Sequence, residues 1–156
     1  MLITLVDNDT ARIQKPAGTV LGTQYFFLSK DSYDFFPPLT IRNRRGEKAT
    51  YSAKISLNYI DLGITNPEST VTFEAENNLD FRLLTSKLNS TKLASPGDIA
   101  AITRVGETDY QLRIIPQNTS LYQSISPYAN NFIGHKGKRY GYLSNNRFQT
   151  IIGVNT

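Results

Sequence analysis

No cysteine occurs in the 156 residues, and histidine occurs once, at His135. The first absence excludes a disulfide framework, a thiolate metal site and a cysteine nucleophile. The second excludes a zinc site or a nuclease motif that needs two histidines from this chain. No apolar run approaches the roughly 18 residues of a membrane span, and the opening MLITLVDND lacks the basic region and apolar length of a signal peptide. The expectation is a cytoplasmic chain without membrane contact. A glycine-rich phosphate loop of the nucleotide-hydrolysing kind is also missing. The carboxylates Asp61, Glu74 and Glu76 lack the following Lys of a metal-dependent nuclease, so catalysis is not expected, and neither is a cofactor or a metal.

What is present fits one domain, because 156 residues suffice for a proper core and are few for two. Lys and Arg number 17 against 13 Asp and Glu, giving a net charge of +4 and a pI near 9.3. A modest excess of this kind serves phosphate binding only if it gathers on one face.

Most of the chain reads as short strands separated by turn residues. Leu2 to Val6 and Tyr25 to Leu28 are strand-like and flank a polar loop carrying Asn8, Asp9, Thr10, Arg12, Gln14 and Lys15. These types suit base edges: Arg for guanine, Asn and Gln for adenine, short hydroxyl and carboxylate side chains for the rest. A solvated hairpin loop is the competing reading. Phe35 and Phe36, halted by Pro37-Pro38, are expected to plug a barrel end.

Arg42, Arg44, Arg45 and Lys48 surround a turn at Gly46, as either a phosphate-facing cluster or a soluble hairpin tip. Tyr51, Ala53, Ile55 and Leu57 alternate inward, as do Val71, Phe73 and Ala75, which sends Glu74 and Glu76 toward solvent. A second arm follows, with Arg82, Thr85, Ser86, Lys87, Asn89 and Lys92; a surface loop or one helical turn from Thr85 to Leu88 is the plain alternative.

Ser95-Pro96-Gly97-Asp98 is a turn, and residues 99–105 and 109–115 form a hairpin. Asn118 or Thr119 caps a short helix stopped by Pro127. His135, Lys136, Lys138 and Arg139 lie in a Gly-punctuated basic stretch with Tyr140 and Tyr142, suited to a nucleic-acid backbone. Residues 148–154 read as a last strand or the start of a linker. The expected fold is mainly β: a single seven-stranded open pseudobarrel with one to three short helices. Its core is residues 1–116, with arms at about 7–18 and 78–92, and residues 117–156 are an extension that closes the barrel or contacts DNA or a partner domain.

The order of these features resembles the N-terminal DNA-recognition domain of the EcoRII-type restriction endonucleases. The residues that carry the resemblance are Leu5-Val6-Asp7-Asn8-Asp9-Thr10, the returning strand with Gly22 and Tyr25 to Leu28, Phe35-Phe36-Pro37, the Asn78 to Leu84 arm and the Pro96-Gly97-Asp98 hairpin. That family is the prokaryotic branch of the DNA-binding pseudobarrels shared with plant transcription factors, and the likeness spans about residues 2–116. It implies two arms that grip the major groove of double-stranded DNA, Asn8 to Lys15 in one and Arg82 to Asn89 in the other. It further implies a linked or associated nuclease domain. Relatives tend to carry Gly after the Asn-Asp-Thr of the first arm; here Ala11 and Arg12 follow, so the family's base preference does not carry over. Arg42, Arg44, Arg45, Lys92, His135, Lys136, Lys138 and Arg139 are the expected phosphate contacts. A single-strand or RNA-binding barrel and a non-nucleic-acid interaction module stand as the alternatives.

Overall fold

A computed structural model describes residues 1–45, 48–75, 80–133 and 137–155, with the backbone only at 44, 45 and 48. Within them ten strands share one sheet: β1 (Leu2–Thr4), β2 (Tyr25–Leu28), β3 (Ile41–Arg45), β4 (Lys48–Tyr59), β5 (Ile64–Glu74), β6 (Phe81–Leu84), β7 (Ile99–Arg104), β8 (Asp109–Ile115), β9 (Asn131–Phe132) and β10 (Arg139–Gly141). Their order is β2-β6-β5-β4-β8-β7-β1-β10-β9, with β3 on β4 beside this path. The mainly β expectation holds as a curled, open half-barrel, but the strand count is ten rather than seven. β9 and β10 have two and three residues, too few to show a period-two pattern in a glycine-punctuated stretch.

β4 organises the curl. Its twelve residues pair antiparallel with β5, with β3 at one end (48–52) and in parallel with β8 at the other (56–59). A register shift between Ile55 and Leu57 marks the bend, as a bulge does in a twisted sheet. Ala53, Ile55, Leu57 and Tyr59 all point into the core, as the alternation predicts. Glu74 is a correction: it is 6% exposed, at the end of β5 where the strand pairs with β4 and its amide donates to the Asp80 carbonyl; Glu76 lies outside the described residues.

The main core fills the inside of the curl. Phe36 stacks on Tyr110 with ring centroids 5.4 Å apart and meets Phe81 and Phe35 edge-on at 5.7 and 5.2 Å. The Tyr110 hydroxyl donates to the Phe35 carbonyl at 2.8 Å. Phe36 is thus part of the core, and Phe35 packs partly buried against it.

A second core lies on the other face of β1, β7 and β8. Leu2, Ile99, Ala101 and Ile115 point into it, while their chain neighbours Ile3, Ala100, Ile102 and Ile114 point inward. Helix α2 (Ser120–Ile125), capped by Thr119 as expected, and helix α3 (Asn145–Val154) cover this face through Ile125 and Phe148, joined by Ala129 from the segment between them. Residues 148–154 are therefore helix, not strand. Ser144 caps the backbone amide of Arg147 at 3.1 Å, and Phe148, Ile151 and Ile152 share one helical face. Among the described residues no helix is long and apolar enough to cross a membrane.

Candidate nucleic-acid interface

The polar loop after β1 begins with one helical turn, α1 (Asp7–Thr10). Its residue Asp9 is wholly buried, and its carboxylate accepts from three chain segments: the Val6 amide at 2.9 Å, the Phe27 amide at 2.8 Å and the Lys138 ammonium at 2.5 Å. The Gln24 side-chain amide donates to the Asp9 carbonyl and to the Tyr25 carbonyl. The open edge of β2 is thereby satisfied by side chains instead of another strand, and the seam of the half-barrel is fixed where the first arm leaves it. Burial pushes the Lys138 amine below its usual 10.5, against the adjacent Asp9 carboxylate, which draws it up.

From this root, residues 11–24 run outward and back. Ile13 is buried and pins the loop to the core, while Lys15 through Val20 are exposed. The second arm leaves β6 and makes a tight 3-10 turn, Ser86–Leu88, anchored by buried Leu88. It then crosses the first arm. The Ser90 amide donates to the Arg12 carbonyl at 3.2 Å, the Lys92 amide to the Ile13 carbonyl at 3.1 Å, and the Ser90 hydroxyl to the Pro16 carbonyl at 3.2 Å. Gln14 donates to the Ala94 carbonyl and to Ser95. Ser90 and Lys92 hold φ of 59° and 58°, a left-handed backbone uncommon for residues other than glycine. The two arms are thus hydrogen-bonded into one surface.

Asp7 is exposed and Asp80 partly exposed at the arm roots; beyond them the charges are cations, Arg12, Lys15 and Lys30 in residues 11–30 and Arg82, Lys87 and Lys92 in residues 81–97, with no Asp or Glu in either stretch. Arg82 lies on the outer face of β6, its guanidinium 4.6 Å from the centre of the Tyr25 ring, within cation–π range. Around the arm roots, Gln24 Oε1, Arg82 Nε, Thr85 Oγ1 and Asn89 Oδ1 are buried atoms without a hydrogen-bond partner among the described residues.

The structure separates the expected base readers into two groups. Asn8, Gln14, Lys15 and Lys87 are exposed, and Arg12, Arg82, Ser86 and Asn89 are partly so. Asp9, Thr10 and Thr85 have at most 1% exposure and face the fold. Of the expected phosphate contacts, Arg42 and Lys92 are exposed and Arg139 is half-buried, while Lys138 is 5% exposed and committed to Asp9. The side chains of Arg44 and Arg45 and the whole of His135 and Lys136 lie outside the described residues. Tyr25, which carries the Arg82 guanidinium, and Gln24, which ties the first arm to β2, were not among the expected site residues, and no local signal in the sequence marks either contact. Asp61, weighed as a nuclease carboxylate, accepts from the Ile114 amide at 2.8 Å, and among the described residues no three His, Cys, Asp or Glu gather as a metal site.

No curated protein matches the chain. A family model does, over residues 1–155, so it takes in the C-terminal helices as well as the sheet; it describes the DNA-binding domain of the metal-independent restriction enzyme BfiI. The chain belongs to the family of BfiI-type restriction-enzyme DNA-binding domains.

Proposed function

We propose that this chain binds double-stranded DNA sequence-specifically through the major groove, as the recognition or effector domain of a restriction endonuclease. One observation carries the reading: two chain segments, 11–30 and 81–97, hold six cations and no carboxylate, and their arm portions are braced against each other by backbone hydrogen bonds. In this reading Asn8, Arg12, Gln14 and Lys15 from the first arm and Arg82, Ser86, Lys87 and Asn89 from the second address base edges. Asp9, Thr10 and Thr85 act one step back, holding the arms in register. Lys92, Arg42 and Arg139 neutralise phosphates together with Arg44, Arg45, His135 and Lys136, and Lys138 anchors that last basic stretch to the first arm. The likeness to the pseudobarrel recognition domains of EcoRII-type enzymes supports the two-arm grip. Cleavage belongs to a separate nuclease domain, linked or associated, and the whole operates in the cytoplasm without a cofactor of its own.

The test is binding to duplex and single-stranded pools across a salt series. The account predicts duplex preference and an affinity that falls linearly with salt on logarithmic axes, by about 0.9 per phosphate neutralised. Lys92→Ala should weaken all sequences alike and flatten that slope by about one unit. Preference for the single-stranded pool would replace this reading with a base-stacking barrel.

A further inference from the structure

The tip of the first arm is chemically unlike its sides. Residues 16–23, PAGTVLGT, carry no charge, and Val20 is 98% exposed, the most exposed large apolar side chain among the described residues. The segment has defined bracing. The Thr19 amide and hydroxyl both donate to the Pro16 carbonyl, at 3.3 and 2.8 Å, and Gly18 turns the chain at φ 85°. The second arm holds the same Pro16 carbonyl through Ser90. On the return, Gly22 passes so close to the Arg12 guanidinium that a Cβ there would sit 3.1 Å from Nη2. Val20 is therefore held out on a shaped turn between Thr19 and the half-buried Leu21, with the Arg12 guanidinium beside the returning Gly22.

Its surroundings choose the occupant. The charged side chains that precede the tip on this arm after its helical turn, Arg12 and Lys15, are both cations, and Arg12 also lies against the tip's return at Gly22. A cationic rim around one small branched apolar group matches a polyanion that displays isolated methyl groups. The major groove does so: the C5-methyl of thymine is its one apolar mark, read by apolar side chains.

We propose that Val20 reads a pyrimidine 5-methyl group in the major groove, and so sets specificity at one base pair where no hydrogen bond is made. This rests on the duplex-binding reading above. The methyl can come from thymine or from 5-methylcytosine, a distinction of consequence for a recognition domain that meets modified and unmodified DNA.

The experiment uses the full chain and a duplex carrying its selected site. Each thymine is replaced singly by deoxyuridine, and each cytosine singly by 5-methylcytosine, with wild type and Val20→Ala measured side by side. One buried methyl corresponds to about a fourfold change in affinity. If thymine is read, one T-to-U substitution weakens wild type severalfold and leaves Val20→Ala unaffected. If 5-methylcytosine is read, one C-to-5-methylcytosine substitution strengthens wild type alone. In either case the salt slope of Val20→Ala equals that of wild type, since no cation is lost. Flat responses at every position, or equal responses in both proteins, overturn the proposal. Absence of any duplex binding by wild type overturns the function reading instead.

Discussion

Arg82 and Asp9 are both polar residues beside an arm, and their surroundings give them opposite tasks. Arg82 is partly exposed and rests its guanidinium on Tyr25, so rotamer freedom is spent before any DNA arrives. Arg82→Ala is expected to lose about 1–3 kcal/mol of discrimination at one base position while leaving affinity for mismatched sites nearly unchanged; a uniform loss across sequences would reassign Arg82 to the phosphates. Asp9 instead joins Val6, Phe27 and Lys138 inside the seam. Asp9→Asn or Lys138→Met alone should cost about 3–5 kcal/mol in denaturant unfolding, since each leaves a buried group uncompensated, and the double variant should cost less than the sum. Additive losses would mean the two residues do not act as a pair. The residue types of the arms were legible in the sequence, but the burial of Asp9, Thr10 and Lys138 was not. Asp9 and Lys138 are 129 positions apart, and nothing local announces that their side chains meet.

Among the elements, hairpin β7–β8, the alternation in β4 and the helix capped by Thr119 follow from local pattern alone. α3 does not. Its sequence FQTIIGV is rich in strand formers, and only the Ser144 cap and the second core decide for helix. Phe148→Ala should therefore cost about 3–5 kcal/mol, comparable to a main-core aromatic, when unfolding is followed by circular dichroism. A loss below 1 kcal/mol would make α3 an appendage. β10 carries a sharper constraint: a Cβ at Gly141 would lie 1.7 Å from the Tyr128 carbonyl oxygen, so Gly141→Ala should disrupt the β1–β10 pairing. Hydrogen exchange at the Leu2 and residue-141 amides, which face each other across β1 and β10, would report it, and unchanged protection would refute it.

For the molecule as a whole, a net charge of +4 understates the field that a ligand meets. Asp9 and Asp98 are buried and accept from backbone amides, while residues 11–30 and 81–97 carry six cations and no acid. The family's broad function was legible because the order of arms, aromatic plug and turn survives in one dimension. The ten-strand sheet and the shared C-terminal core were not, because β9, β10 and α3 depend on contacts with β1, β7 and β8.

The most direct test of the central claim is selection from a randomised duplex library at fixed, near-physiological salt, read by sequencing. The account predicts enrichment of one short motif by the wild-type chain, and loss of that enrichment at defined positions in Arg12→Ala and Arg82→Ala. Retention of DNA with no motif enriched, or no salt-sensitive retention at all, would contradict a sequence-reading pair of arms.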